Sequence, residues 1–166
     1  MTAPDVANLL RTDAPAPDHF AVLRRLPTRW GDNDVYGHVN NVVYYALFDT
    51  AVNGWLLDAI GRDIRNLPAI GVVAETTCRF LRQLSFPDVA LVGVGLARLG
   101  RTSVTYELAA FAEQPDGRPG PEAHAVGRFV HVYVDAESRR PTPVPTEVSE
   151  ALAALSSGVP RTRSCR

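Results

Sequence analysis

The stretch that decides the fold is RWGDNDVYGHVNN, residues 29–41. Its first part is a polar loop with two glycines, a composition typical of an irregular connection. Its last two residues are asparagines, and either Asn40 or Asn41 can cap a helix by accepting a hydrogen bond from a first-turn amide. The sequence therefore predicts a helix that begins here, runs to about Ile60 and ends at Gly61, a residue suited to a C-cap.

The predicted helix is apolar around most of its circumference. One set of apolar residues falls at helical spacing: Tyr44, Leu47, Phe48, Ala51, Trp55 and Ala59. A second set extends the apolar surface: Val42, Val43, Val52, Leu56 and Leu57. We expect such a helix to be enclosed by other elements rather than to lie on a surface.

Strand-like segments lie on both sides of this helix. One precedes the loop at residues 19–30, and four follow the helix at residues 70–84, 89–99, 103–113 and 124–135. This order predicts an α+β fold in which an antiparallel sheet curls around one long central helix. An open sheet has edges that must be protected, and pairing through an edge predicts a homo-oligomer, either a homodimer or a homotetramer.

Length and composition indicate one globular domain. The 166 residues are 46% hydrophobic and 21% charged. We expect a lead-in over residues 1–18, the folded domain over residues 19–145, and a tail over residues 146–166 that contains a short helix. The net charge of −1 gives no electrostatic support for binding to nucleic acid or to an acidic membrane.

The cellular location is predicted from the patterns that this sequence lacks. Residues 1–20 do not have the basic start and apolar run of a signal peptide. No stretch reaches the roughly 18 consecutive apolar residues of a membrane span. The two cysteines, Cys78 and Cys165, form no disulfide framework, which favours a reducing compartment. We therefore expect a cytoplasmic protein with no membrane partner.

Asp34 is the candidate for chemistry, because it precedes the helix N-terminus by a few residues. Unpaired amides and the helix dipole make that end an anion site, suited to the oxyanion that develops when an acyl group is transferred to water. A nearby carboxylate can attack the carbonyl carbon or deprotonate a water, and Gly37 lets the loop turn sharply. From the residues alone, however, simple capping of the helix is the favoured interpretation.

The same stretch, continued to Tyr44, resembles the 4-hydroxybenzoyl-CoA thioesterase family of hotdog proteins. The family pattern runs roughly Gly-Asp-x-Asp-x-x-Gly-His-Val-Asn-Asn-x-x-Tyr. Weaker similarity continues at residues 73–75, 79–84, 100–103 and 129–133. The resemblance covers roughly residues 19–145 and implies the hotdog fold and hydrolysis of an acyl-CoA without a cofactor. It also implies that the catalytic carboxylate is Asp34 and that the oxyanion-binding amide lies near Asn41.

Further site residues are expected from this resemblance. His38 joins Asp34 and Asn41 as a catalytic candidate, since it can orient the thioester or the carboxylate. The residues expected to bind the substrate are Tyr36, Gly37, Asn40, Tyr44, Arg82, Arg101 and Thr102. The arginines suit the phosphates of coenzyme A, because guanidinium can bind phosphate with two hydrogen bonds. The alternatives are helix capping for the asparagines, core packing for Tyr44 and plain solvent exposure for the arginines.

The fold leaves other functions open. Residues 38–41 also resemble plant acyl-carrier-protein thioesterases, but Tyr36 replaces an asparagine of their pattern, so we favour a CoA ester. Some family members place the carboxylate on the central helix, where Asp49 is the candidate, and Asp32 is expected to hold the loop through backbone amides. A non-catalytic acyl-CoA-binding module and a hydratase or dehydratase are the competing functions.

Other chemistries are disfavoured by context. Residues 95–102 imitate a phosphate-binding P-loop, but they lie in a strand-turn-strand stretch rather than before a helix. The sequence has no Gly-x-Ser-x-Gly motif of a serine hydrolase. Its histidines, at positions 19, 38, 124 and 131, lack the spacing of metal ligands, so we predict no metal.

Overall fold

The computed structural model describes the backbone of residues 14–156, which form five strands and two helices. The elements are β1 (Val22–Pro27), α1 (Asn41–Ile60), β2 (Ala69–Phe80), β3 (Val89–Leu99), β4 (Ser103–Glu113), β5 (Pro119–Asp135) and α2 (Thr146–Ser156). Short 3₁₀ turns precede β1 and α1, and another follows α1. Most of the expected lead-in lies outside the described residues, as does Cys165.

The strands form one antiparallel sheet in the order β1-β3-β4-β5-β2. α1 packs across one face of the sheet, and the main core lies between them. The largest side chains of this core include Phe48 from α1 and Tyr106 and Phe129 from the strands. The predicted α+β architecture, a hotdog arrangement with an antiparallel sheet around one long helix, is confirmed.

Both predicted ends of α1 are confirmed. Asn40 is the N-cap, and its Oδ1 accepts a hydrogen bond from the Val42 N–H at 3.2 Å. Gly61 is the C-cap with a φ of 72°, a left-handed conformation that suits glycine, and its N–H donates to the Leu57 carbonyl at 3.0 Å. Within residues 14–156, neither helix is both long and apolar enough to cross a membrane.

Two strands are shorter than predicted because hydrogen bonds at their ends go elsewhere. β1 occupies only the middle of residues 19–30, since 3₁₀ turns at Pro17–His19 and Trp30–Asp32 take up both ends of that segment. β2 ends before residue 84, because the N–H groups of Leu81 and Arg82 both donate to one carbonyl of β5 and the regular ladder stops there.

β5 is longer than predicted, and the tail contributes to the fold. β5 begins at Pro119, which pairs with Glu113 of β4, because only the turn at residues 114–118 leaves the hairpin. The expected tail helix forms as α2 over Thr146–Ser156. The folded unit therefore extends past residue 145, since α2 contributes three buried side chains to the main core: Val148, Leu152 and Leu155.

The strand directions give the sheet two ends with different surroundings. β1 runs into residues 28–40 at one end, where β2 also finishes, and we call this the loop end. The connection at residues 61–68 and the turn at residues 100–102 lie at the opposite end, which we call the far end. α1 runs from the loop end to the far end, about 30 Å for its 20 residues.

A second apolar cluster covers the outer face of the sheet and is built on Phe20. This side chain is buried and packs edge-to-face on Phe111, with the ring centroids 6.0 Å apart. Its ring lies over Gly93 of β3, where an added Cβ would be 2.5 Å from Phe20 Cδ2. The missing side chain at Gly93 is therefore what allows Phe20 to close the outer face.

Gly93→Ala should destabilise the fold, because the new methyl group forces the buried Phe20 ring out of its position. We expect the free energy of unfolding to fall by about 1–3 kcal/mol in urea denaturation. Gly95→Ala is the matched control on the same strand and face, since its Cβ would lie 3.4 Å from the nearest Phe20 atom. Equal losses in the two variants would contradict this account.

Candidate active site

The loop of residues 29–41 folds into a tight turn at the loop end. Asn33 and Val39 form an antiparallel bridge that closes it. Inside the bridge, the Asp34 N–H donates to the His38 carbonyl at 2.8 Å, and the Gly37 N–H donates to the Asp34 carbonyl at 3.1 Å. Gly37 has a φ of 83°, which favours glycine. Asp34 is thereby fixed at the base of a turn whose tip is exposed.

The two carboxylate oxygens of Asp34 have different surroundings. Oδ1 accepts hydrogen bonds from the Tyr36 N–H at 2.8 Å and the His38 N–H at 3.3 Å. Oδ2 accepts no hydrogen bond from any residue between 14 and 156, and the side chain is only half-buried. One oxygen therefore holds the turn, and the other is available to a water or a substrate.

Asp32 anchors the base of the loop. Its side chain is buried, with Oδ1 2.8 Å from Arg29 Nη2 and Oδ2 2.7 Å from the Arg29 backbone nitrogen. The Arg29 guanidinium hydrogen-bonds the carboxylate and so lowers the pKa of Asp32 from its ordinary value. The Asp32 carbonyl also accepts the Asn40 N–H at 2.8 Å, which ties the loop to the helix cap. This role agrees with the predicted one of holding the loop, although the main bonding partner is a side chain.

The first turn of α1 offers an unpaired amide beside this loop. The Asn40 side chain accepts the Val42 N–H, and the Asn40 carbonyl accepts the Val43 N–H at 2.9 Å. The Asn41 N–H makes no hydrogen bond within residues 14–156, and Asn41 is exposed. This amide lies at the positive end of the helix dipole, so it can donate to an anion.

A second loop supports the first from the end of β2. The Val39 N–H donates to the Leu84 carbonyl at 2.7 Å, and the Phe86 N–H donates to Asn33 Oδ1 at 3.0 Å. The Phe86 ring also meets the exposed Trp30 ring edge-on, with the centroids 5.9 Å apart. These contacts explain how a loop with few apolar side chains keeps one conformation.

Most of the other predicted site residues lie at the loop end. Tyr36 is exposed at the tip of the turn, and the His38 side chain is half-buried next to it. Arg82 lies in the supporting loop, where it pairs with Glu122. Tyr44 is 3% exposed and packs in the main core, so the structure supports its packing alternative, and a contact with substrate stays a prediction.

Arg101 and Thr102 do not join this group. They occupy the turn between β3 and β4 at the far end, so the length of β3, about 33 Å for its 11 residues, separates them from the loop end of the same chain. Their expected contact with the substrate stays a prediction, and within one chain they are remote from Asp34. The reason is strand direction, since the turn that carries them opens at the opposite end of the sheet.

The alternative carboxylate, Asp49, lies elsewhere on α1. It is exposed halfway along the helix, and its Oδ1 accepts a hydrogen bond from Asn53 Nδ2 at 3.1 Å. It is about two helical turns from the unpaired Asn41 amide, at 3.6 residues per turn. Asp49 therefore lies outside the first turn of α1, where the unpaired Asn41 amide is found.

Sequence reasoning missed a polar group inside the helix–sheet layer. His131 and Tyr133 of β5 are buried on the face that contacts α1, whereas the valines that alternate with them, Val130, Val132 and Val134, lie on the outer face and are only half-buried. Alternation along β5 was visible in the sequence, but it shows a period of two and does not show which set faces inward. In residues 14–156, no group of three or more His, Cys, Asp or Glu side chains is placed to hold a metal ion.

Comparisons with known proteins agree with this geometry. Residues 28–152 match the model of the thioesterase-like superfamily. The chain is 47% identical to the PA5185 protein of Pseudomonas aeruginosa, whose crystal structure superimposes with a TM-score of 0.78 and covers 85% of this chain and 95% of that chain. It is 31% identical to a Thermus thermophilus thioesterase solved with coenzyme A and zinc, with a TM-score of 0.66 and coverage of 82% and 95%. The YsmA protein of Bacillus subtilis is 26% identical over 133 residues, which are 80% of this chain and 86% of YsmA.

Asp32→Asn should lower stability at neutral pH and lose this effect in acid. Because the pKa of Asp32 is lowered in the folded state, its carboxylate stabilises the fold fully above its unfolded pKa of about 3.9, and this contribution disappears as the pH falls through the folded pKa. Thermal unfolding of native protein and variant from about pH 7 down to about pH 2 measures the difference. A melting-temperature difference that stayed constant over this range would contradict the assignment.

Proposed function

The chain belongs to the thioesterase-like superfamily and is a thioester hydrolase, and we propose that it cleaves an acyl-CoA with Asp34 as the reacting carboxylate. The observation that carries the proposal is that the two carboxylate oxygens of Asp34 differ in their hydrogen bonds. Oδ1 is held by two loop amides, while Oδ2 stays open beside the helix N-terminus. Because the turn uses only Oδ1, Oδ2 is left for a water or a substrate.

The chemistry follows from the two open groups. Asp34 Oδ2 removes a proton from a water that adds to the thioester carbonyl carbon, or it adds to that carbon itself. Either route puts a negative charge on the thioester oxygen, which the Asn41 amide can receive with the help of the helix dipole. Collapse of the intermediate breaks the carbon–sulfur bond and releases the coenzyme A thiolate, which takes up a proton. The water route gives the free acid directly, whereas the direct route leaves an acyl–Asp34 anhydride that a water must then hydrolyse.

Coenzyme A is the supported carrier of the acyl group. The Thermus relative, 31% identical to this chain, was solved with coenzyme A bound. We infer that Tyr36, Gly37, His38 and Asn40 line the approach to the thioester, because all belong to the turn or to the cap beside it. A soluble CoA ester also fits the cytoplasmic location expected from the sequence.

We further propose that the chain forms a homodimer through β2. Only one edge of β2 is paired, and every residue from Gly71 to Thr77 is exposed. Val72 and Val73 are each 42% exposed although they lie on opposite faces of the strand. An uncovered apolar edge of this length is open to pairing with another strand, and a second copy of β2 is the natural partner.

The symmetry of such a dimer has a consequence for the site. A twofold axis perpendicular to the sheet pairs the β2 strands in an antiparallel way and keeps both helices on the same face. The loop end of one copy then lies beside the far end of the other. In this arrangement Arg101 and Thr102, which are remote from Asp34 in one chain, move towards the Asp34 loop of the second copy.

Asp34→Asn should remove activity without unfolding the loop. The amide keeps an oxygen that can accept the Tyr36 and His38 N–H groups, but it cannot act as a base or nucleophile. We expect kcat to fall at least about 100-fold in a thiol-release assay with short, long and aromatic acyl-CoAs. An unchanged kcat would indicate that another group performs the chemistry, and the kcat of Asp49→Asn would then be measured.

Asp116→Asn is the matched control for this experiment. Asp116 Oδ1 accepts the Arg118 N–H at 3.0 Å, which is the same two-residue spacing as the bond from Tyr36 to Asp34. It lies in the turn between β4 and β5 and has no free helix amide beside it. A loss of activity in both variants would indicate that turn stability, rather than the Asp34 carboxylate, had been measured.

Val73→Lys should convert the dimer into a monomer, because it places a charge on the exposed edge strand. Sedimentation velocity or light scattering after size exclusion gives the mass directly. Leu99→Lys is the control, since Leu99 is 43% exposed but lies at the end of β3, away from the β2 edge. Dimers of equal stability in both variants would exclude β2 as the interface.

A further inference from the structure

The carboxamide of Asn33 makes a hydrogen bond at each of its two ends. Its Oδ1 accepts the N–H of Phe86 in the supporting loop, residues 81–88, at 3.0 Å, and its Nδ2 donates to the carbonyl of Gly37 at 3.3 Å. The side chain therefore connects the supporting loop to the turn that holds Asp34. Position 33 falls on the unspecified position between the two aspartates of the family pattern, so the pattern assigns no role to this residue.

The Gly37 carbonyl and the His38 N–H belong to one planar peptide unit and point in opposite directions. The His38 N–H donates to Asp34 Oδ1 at 3.3 Å, so Asn33 holds one side of this unit and Asp34 the other. A continuous chain of hydrogen bonds thus runs from the Phe86 N–H through Asn33 and this peptide to the carboxylate. Donation to the carbonyl also polarises the peptide, which strengthens its N–H as a donor.

Packing does not hold this peptide, because the tip of the turn is in solvent. Val35 is 92% exposed, Tyr36 is 81% exposed, and Gly37 is exposed as well. Gly37 also has a φ of 83° and no side chain, so its backbone is less restricted than that of any other residue type. The orientation of the Gly37–His38 peptide therefore depends on hydrogen bonds, and Asn33 supplies a bond to its carbonyl.

The supporting loop gives the other end of this chain of hydrogen bonds a fixed position. The Leu84 side chain is fully buried in the main core, and the Leu84 carbonyl accepts the Val39 N–H at 2.7 Å. Two further bonds brace the loop: the Asp88 N–H donates to the Ser85 carbonyl at 2.7 Å, and the Ser85 N–H donates to Asp88 Oδ2 at 2.9 Å. The Phe86 N–H, where the chain of hydrogen bonds begins, is therefore held in place.

The two partners of the side chain at position 33 require a carboxamide. The Phe86 N–H is a donor and needs an oxygen, whereas the Gly37 carbonyl is an acceptor and needs an N–H group. An asparagine offers both, an ionised aspartate offers only oxygens, and a leucine offers neither. The same requirement fixes which end of the Asn33 side chain faces each loop.

The geometry points to Asn33 as a positioning residue for thioester hydrolysis, which acts by holding the plane of the Asp34 carboxylate. The inference rests on the proposed function of Asp34. Its Oδ1 accepts from two donors, the Tyr36 N–H at 2.8 Å and the His38 N–H at 3.3 Å, and together they set the direction in which Oδ2 points. If the His38 N–H turns away, the carboxylate can rotate about the remaining bond and spends less time in the reactive orientation. Such a loss lowers kcat and leaves the binding of the substrate unchanged.

Asn33→Leu removes both hydrogen bonds with little change in size. In the thiol-release assay we expect kcat to fall about tenfold while KM stays within about twofold of the native value. Asn33→Asp keeps the acceptor for the Phe86 N–H and loses only the donor to the Gly37 carbonyl, so its kcat should fall at least as far. A native kcat in either folded variant, or a higher KM at native kcat, overturns the inference and leaves the thioesterase function intact.

Thr28→Val is the matched control for loop stability. The Thr28 hydroxyl donates to the Asp88 carbonyl, so it ties the end of β1 to the same supporting loop without taking part in the chain of hydrogen bonds through Asn33. The substitution keeps the shape of the side chain and removes one hydrogen bond, so the melting temperature should fall while kcat stays native. Equal losses of kcat in Thr28→Val and Asn33→Leu would show that loop stability, rather than the orientation of the peptide, decides the rate, and would overturn the inference.

A double variant that combines Asn33→Leu with Asp34→Asn shows whether Asn33 acts through the carboxylate. Once the carboxylate is replaced, its orientation no longer matters, so the double variant should keep the residual kcat of Asp34→Asn. A further loss of about tenfold in the double variant would mean that Asn33 acts on another group, which also overturns the inference.

Hydrogen exchange measured by NMR tests the chain of hydrogen bonds without any turnover. In Asn33→Leu the exchange of the His38 amide with solvent should become about tenfold faster, as expected when a hydrogen bond is weakened, and it should stay native in Thr28→Val. The faster exchange supports the positioning of Asp34 by Asn33 even if no thioester is cleaved. An unchanged exchange rate of the His38 amide overturns the inference, whereas a native kcat in Asp34→Asn removes the proposed function itself.

Discussion

A helix of 20 residues that is apolar on nearly every side is stable in water only when other elements surround it. Three central strands, β3, β4 and β5, cover α1 on one side, and α2 closes the far end. β2 continues the sheet, but its exposed residues show that it covers α1 incompletely. The enclosure of α1 is thus unfinished along one side, and the unpaired edge of β2 lies on that side.

The loop before α1 contains two aspartates, Asp32 and Asp34, whose carboxylates have different surroundings. Asp32 is buried and uses both oxygens on Arg29, so it holds the loop but has nothing left for a substrate. Asp34 is half-buried and uses only Oδ1 in the turn. The first carboxylate therefore anchors the loop, and the second keeps one oxygen free for the chemistry proposed above, within three consecutive residues. Arg29 is what makes this separation possible, because it stabilises the charge of Asp32 alone.

The sequence predicted well those features that local interactions decide. The caps at Asn40 and Gly61 depend on residues within a few positions, and both formed as expected. The separation of Arg101 and Thr102 from Asp34 within one chain could not be read from local interactions, because it depends on which end of the sheet each turn occupies. The sequence also could not predict which face of β5 points inward, since an alternating strand gives no local sign of where the helix packs. The burial of His131 and Tyr133 depends on which face of the sheet α1 covers.

The polar residues on the inner face of β5 are not explained by packing. A core built for stability alone would place apolar side chains at these positions, because an unsatisfied buried polar atom costs about 1–3 kcal/mol. His131 carries such an atom in its Nε2, and Gly71 leaves the space beside the other ring nitrogen unfilled, since a Cβ there would be 3.4 Å from His131 Nδ1. An apolar residue at position 131 would remove the unsatisfied nitrogen, so the sequence keeps a polar group where packing alone would not.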